Sequence, residues 1–268
     1  MSGGTGCASL AVPVNSFGTD TEVMEDFWIF VAIGFLAQLV DGALGMAYGL
    51  TASSFLLSLG LPPVTVSATV HMAETFTTGV SAVSHHHFGN VDRALFRRLV
   101  IPGVLGAICG AYLLSNLPGD TIKPWVSAYI LLMGLVVVSK AFRPIPPRAV
   151  ATHVGTLGFF GAFLDAIGGG GWGPIVASTL LARGNESRTT IGTVNAAEFF
   201  VTLAASATFI LTVGMSHWLL ILALALGGVF AAPVAAYTAK HVPHRPMLLL
   251  VGLLIVAVSA RMLYLAWT

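Results

Sequence analysis

Two acidic residues, each followed by glycines, mark where this sequence can do chemistry. Asp41 opens "DGALGMAYG" and Asp165 opens "DAIGGGGWGP", each inside a strongly apolar stretch. A carboxylate is costly in an apolar environment, and a glycine run weakens a helix. Neither segment is therefore plain helix. Pro174 follows Trp172 and Gly173, and proline suits a helix start, where its missing N–H loses no partner. A helix is predicted to begin near Gly173, with its N-terminus at the tip of a turn. Exposed N–H groups and the positive helix end suit an anion. On this reading Gly168, Gly169, Gly170, Gly171, Trp172 and Gly173 bind substrate, and Gly45 and Gly49 form a weaker version. The competing reading is that the glycines permit tight helix packing. Asp41 and Asp165 either cap N–H groups of the turn or bind a cation or proton.

A second set lies on the segments that follow. Ser67, His71, Glu74 and Thr78 fall at i, i+4, i+7 and i+11 and share one helix face. The matching stripe in the second half is Ile191, Asn195, Glu198 and Thr202. Low polarity disfavours a charged carboxyl, and a neutral acid can donate a hydrogen bond to an anion and release its proton elsewhere. Glu74 and Glu198 join Asp41 and Asp165 as candidates for proton or ion coupling, and His71 and Asn195 as substrate contacts. The alternative is that these stripes only hydrogen-bond helix to helix. His85, His86 and His87 read as a polar helix end. His71-x-x-Glu74 is a weak metal signal, and there is no HExxH, CxxC or Walker loop, so no metal or cofactor is expected.

The elements that must hold these residues are membrane helices. Of 268 residues, 56% are hydrophobic and 9% charged, against about 25% charged in a soluble domain. Mean hydropathy is +0.89. Several apolar runs reach the roughly 20 residues that a spanning helix needs. A net charge of +1 points to no nucleic-acid partner. Cys7 and Cys109 are too far apart in sequence and setting to suggest a disulfide framework. Residues 1–26 read as a mobile tail rather than a cleaved signal peptide, because no Lys or Arg precedes Arg93. The basic, proline-rich "KAFRPIPPRA" divides the rest into a first membrane repeat, 27–143, and a second, 144–268.

The halves repeat at an offset of 124. Asp41 falls on Asp165, Gly45 on Gly169, Gly49 on Gly173, Glu74 on Glu198 and Thr78 on Thr202, with 16 identities over residues 34–80 and no gap. Internal duplication of this kind is a hallmark of secondary transporters. Lys and Arg set the orientation. If each glycine-interrupted segment crosses once, the twelve basic residues split seven to five. If each is a hairpin that enters and leaves on one side, ten share a face and only Lys123 and Arg261 oppose them, as the positive-inside rule expects. The predicted fold is an all-α integral membrane protein of two inverted repeats, each a re-entrant or broken helical hairpin plus three transmembrane helices. Both termini are then extracytoplasmic.

The paired stretches "GFLAQLVDGALGMAYG" and "GFFGAFLDAIGGGGWGP", with "TVHMAETFTTG", "GTVNAAEFFVT" and "FGNVDRALFRRLVIPGVLGA", resemble the TauE/SafE family of sulfite and organosulfonate exporters. The resemblance covers about residues 27–266. It implies a multi-spanning plasma-membrane permease for a small sulfur-containing anion, and not an enzyme. Gly-Ala-Leu-Gly stands where many members carry more glycines, which implies a smaller ligand contribution from the first copy. The expected function is proton-coupled export of sulfite or an organosulfonate. Its rivals are a cation- or proton-coupled importer of another small solute and, remotely, an intramembrane enzyme. The last would use two aspartates, but "LVDG" and "FLDA" lack the Gly-x-Gly-Asp pattern of intramembrane aspartyl proteases.

Overall fold

A computed structural model describes Met24 and residues 26–142, 153–183, 185–215, 217–238 and 244–267. The N-terminal tail up to residue 23 and most of the link between the halves lie outside the described residues. Every regular element among the described residues is helical. The first half contains α1 (Phe27–Leu44), α2 (Tyr48–Ser58), α3 (Pro63–His87), α4 (Arg93–Ser115) and α5 (Gly119–Ala141). The second contains α6 (Val154–Gly168), a π-helical turn (Gly173–Ala177) running into α7 (Ser178–Ala182), α8 (Ser187–Val213), α9 (Trp218–Thr238) and α10 (His244–Trp267).

Each half thus begins with a broken helix. Gly45 and Gly169, equivalent in the repeat, end α1 and α6 in the left-handed conformation, with φ of 69° and 67°. In that region a side chain clashes with its own backbone, which is why glycine stands at both positions. The breaks come slightly later than the sequence suggests. α1 runs past Asp41 to Leu44, and Gly168 is the last residue of α6 rather than part of the turn. At 1.5 Å per residue α1 is about 27 Å long and α6 about 22 Å, short of a hydrocarbon core of roughly 30 Å.

Helices Arg93–Ser115, Thr121–Ala141, Arg188–Val213 and Trp218–Ala235 are long and apolar enough to cross a membrane. α3 has 25 residues, enough length at about 37 Å. Its Ser, Thr, His and Glu side chains lower its hydropathy, and they are turned inward: Ser67, His71, Glu74, Thr77 and Thr78 are all buried. Large apolar side chains such as Phe76, Val83, Leu211 and Phe230 are exposed instead. This inside-out distribution suits a protein whose solvent is lipid.

The halves do not pack as separate bodies. α1 lies along α9, while its counterpart α6 lies along α4. α3 packs on α9 as α8 packs on α4, and α3–α8 and α5–α10 pair with their own repeat mates. Partners therefore exchange as a two-fold relation requires. Thr78 Oγ1 lies 3.4 Å from Thr202 Oγ1, so this residue touches its own equivalent where the two halves meet.

Candidate functional site

The two breaks meet backbone to backbone at the centre of this arrangement. A Cβ added to Gly49 would lie 2.7 Å from Gly170 Cα, and one added to Gly173 would lie 2.6 Å from Met46 Cα. Side chains at either place would force the tips apart. The first half also grips the second tip directly. Ser53 Oγ donates to Gly169 O, and Ser67 Oγ donates to Ala166 O at 2.6 Å.

Asp165 organises its own tip. Its backbone oxygen accepts from Gly170 N at 3.2 Å, and its Oδ1 accepts from Trp172 N at 2.9 Å. The equivalent contact in the first copy runs from Tyr48 N to Asp41 Oδ1 at 3.5 Å, the outer limit of a hydrogen bond. Both aspartates therefore cap the arm that starts seven residues later. Gly49 N–H is likewise directed at the Glu74 carboxyl. At these helix starts the protein's own carboxyls take the Trp172 N–H and reach toward the Tyr48 N–H. Tyr48 and Trp172, a repeat pair, are fully buried. Tyr48 OH donates to Leu224 O at 3.2 Å and Trp172 Nε1 to Val194 O at 3.2 Å.

The copies differ at the next shell of contacts. Asp165 Oδ2 lies 3.2 Å from His71 Nε2. His71 Nδ1 lies 2.8 Å from Ser67 O. A carbonyl can only accept, so Nδ1 carries a hydrogen. The 3.2 Å contact then holds one proton, shared between a neutral acid and an imidazole or between a carboxylate and an imidazolium. Asn195, the repeat mate of His71, does not reach Asp41. Its Nδ2 donates to Ile191 O at 3.0 Å and its Oδ1 accepts from Ser81 Oγ at 3.3 Å.

Asp41, Glu74, Asp165 and Glu198 are all buried and lie within one another's electrostatic reach. The structure thus gathers the four acids named from sequence, together with His71 and both glycine tips, while Asn195 faces the α3–α8 seam. Two further polar residues, Thr51 in the first turn of α2 and Tyr129 of α5, carried no signal in the sequence. Glu74 Oε2, Thr51 Oγ1 and Tyr129 OH are buried without a hydrogen-bond partner. A Cβ on Gly168 or Gly171 would overlap the Tyr129 side chain, so the tyrosine hydroxyl is set against the second tip. Nothing in the local sequence pointed to Tyr129, which lies beyond the stretch 34–80 where the ungapped repeat is seen.

Lys140 is the other omission. The stretch between Arg148 and Arg183 has no Lys or Arg. In the fold, Lys140 at the end of α5 reaches it: Nζ donates to Pro174 O at 2.9 Å and lies 3.9 Å from Met46 Sδ. Neighbourhood along the chain was a poor guide to neighbourhood in space.

Comparison with known proteins identifies the family. A model of the family described as "Sulfite exporter TauE/SafE" matches residues 30–262. The chain is 43% identical over 254 residues to the "Probable membrane transporter protein YtnM" of Bacillus subtilis, covering 91% of this chain and 85% of that one. It is 26% identical over 113 residues to the "Sulfite exporter TauE/SafE family protein 3" of Arabidopsis thaliana, covering 42% of this chain and 20% of the plant protein. No solved structure matches. With its multi-pass helical fold and a family match over most of its length, this chain belongs to the TauE/SafE family of membrane transporters.

Proposed function

We propose that this transporter moves a small sulfur-containing anion, sulfite or an organosulfonate, out of the cell across the plasma membrane, with protons as the coupling ion. The family description as a sulfite exporter supports the substrate class. The observation that carries the coupling is the group of four buried carboxyls around the joined tips. A carboxylate about 8 Å from an anion repels it by roughly 2 kcal/mol at an effective dielectric of 20. An anion enters such a space only when protons have neutralised most of these groups. Glu74 and Glu198 are the proposed carriers, with Asp41 and Asp165 holding the tips. The tip backbone from Gly168 to Gly173, with Gly45, Gly49, Tyr129 and Thr51, is the proposed anion contact.

The ten-to-two distribution of basic residues supports halves inverted across the membrane, so that access alternates as the bundles rock about the tips. Purified protein in proteoliposomes tests the function. An imposed pH gradient should drive sulfite or methanesulfonate flux. Glu74→Gln and Glu198→Gln should leave the protein folded and make the flux insensitive to the gradient. Unchanged proton-driven flux in the double variant removes the glutamates from the coupling. Uptake driven by a metal-cation gradient, with no response to pH, would establish the importer reading instead.

A further inference from the structure

We infer that Lys140 is a substrate-contacting residue: its ammonium group, set across the joint between the two tips, binds the transported anion. The inference rests on the anion-transport reading and adds to it a specific cation. Four observations carry it. Lys140 Nζ contacts both broken helices, through Pro174 O at 2.9 Å and Met46 Sδ at 3.9 Å. The joint it spans is the place where Gly173 meets Gly45 and Met46 without room for a side chain. Lys140 makes no salt bridge to a carboxylate among the described residues. An ammonium group has three hydrogens, and one neutral carbonyl and a distant thioether leave at least one of them available.

The geometry has a mechanical consequence. Pro174 O belongs to the π-helical turn Gly173–Ala177, and such turns inside helices are frequent at functional sites. Ser178 Oγ also donates to that oxygen, so it keeps a partner when the ammonium group turns away. An anion that draws Lys140 toward itself loosens one contact on each tip without orphaning the carbonyl. Binding at this one side chain is felt by both halves.

The test uses the purified full-length protein and the concentration of sulfite that half-maximally raises its melting temperature, since a ligand bound only to the folded state stabilises it. Lys140→Gln keeps a donor for Pro174 O and removes the charge. It should raise the half-maximal sulfite concentration at least about tenfold, which is about 1.4 kcal/mol, and leave the melting temperature without ligand near wild type. Lys140→Arg keeps the charge and should stay within about threefold. A sulfite response unchanged in Lys140→Gln overturns the inference and leaves the transport reading intact. A wild-type protein that responds to neither sulfite, methanesulfonate nor sulfate overturns both. If Lys140→Gln does not fold, amine labelling of the wild-type protein decides. Methanesulfonate should slow modification of Lys140 relative to Lys123, and equal rates with and without it overturn the assignment.

Discussion

Removing the Asp165 carboxyl should cost far more than removing that of Asp41, although the two are equivalent in the repeat. Asp165 accepts from Trp172 N at 2.9 Å and shares a proton with His71 at 3.2 Å, both buried. Asp165→Ala leaves a buried N–H and a buried imidazole nitrogen without partners, each worth about 1–3 kcal/mol. Breaking a buried pair from one side costs about 3–5 kcal/mol. In a chain of this size each kcal/mol moves the melting temperature by about 2–4 °C, so a fall of roughly 6–20 °C is expected. Asp41 offers only the 3.5 Å contact to Tyr48 N, and Asp41→Ala should cost about 1 kcal/mol and about 2–4 °C. Asp165→Asn keeps an acceptor for Trp172 N and offers an amide donor to His71 Nε2, so it should lose clearly less stability than Asp165→Ala. Thermal melts followed by tryptophan fluorescence in one detergent read all three variants. Equal losses for Asp41→Ala and Asp165→Ala would refute the claim that the tips are held unequally.

The remaining tests address packing, capping and topology. Gly49→Ala and Gly173→Ala should lower the melting temperature strongly, since the added methyl meets the opposite tip's backbone at 2.7 and 2.6 Å. Gly155→Ala, whose nearest neighbour is Pro102 Cγ at 3.7 Å, should be neutral or slightly stabilising. Gly169 and Gly170 are poor probes of anion contact, because both have positive φ and are tightly packed. Glu186 caps α8, accepting from Thr189 N at 2.9 Å, from Thr189 Oγ1 at 2.6 Å and from Arg188 N at 3.1 Å. The Thr189 hydroxyl, and then its N–H, hold the exposed Glu186 carboxyl below the usual range. Its contribution to stability is therefore present above the ordinary carboxylate pKa and lost as pH falls through the depressed folded value. Glu186→Gln should flatten that part of the acid melting profile, and an unchanged profile would show that the cap contributes nothing. Single cysteines in a cysteine-free background should place the 88–95, 140–149 and 184–187 loops on the cytoplasmic side and Leu10 and Thr268 outside. Labelling of the 140–149 and 184–187 segments from opposite faces would mean that the second broken helix crosses the membrane.

What the sequence determined by itself was everything that depends on local composition and spacing. Apolar runs with few charges require a membrane, and the offset of 124 identified the duplication. The glycine-rich stretches after Asp41 and Asp165 marked where each half's first helix breaks. The i, i+4, i+7 spacing of Ser67, His71 and Glu74 puts them on one inward face. Tertiary structure decided what touches what across long stretches of chain. Helix periodicity says which residues share a face but not which helix that face meets. The crosswise pairing of α1 with α9 and of α6 with α4 could not be read from either half alone. Nor could the choice of Asp165 as the partner of His71, since the repeat offers Asp41 an equivalent position but gives the opposing helix an asparagine turned elsewhere. Lys140 stands in sequence among the basic residues of a link and in space over the joint of the tips. A long side chain at a helix end samples several neighbours, and only the docking of the second half selects the one it meets.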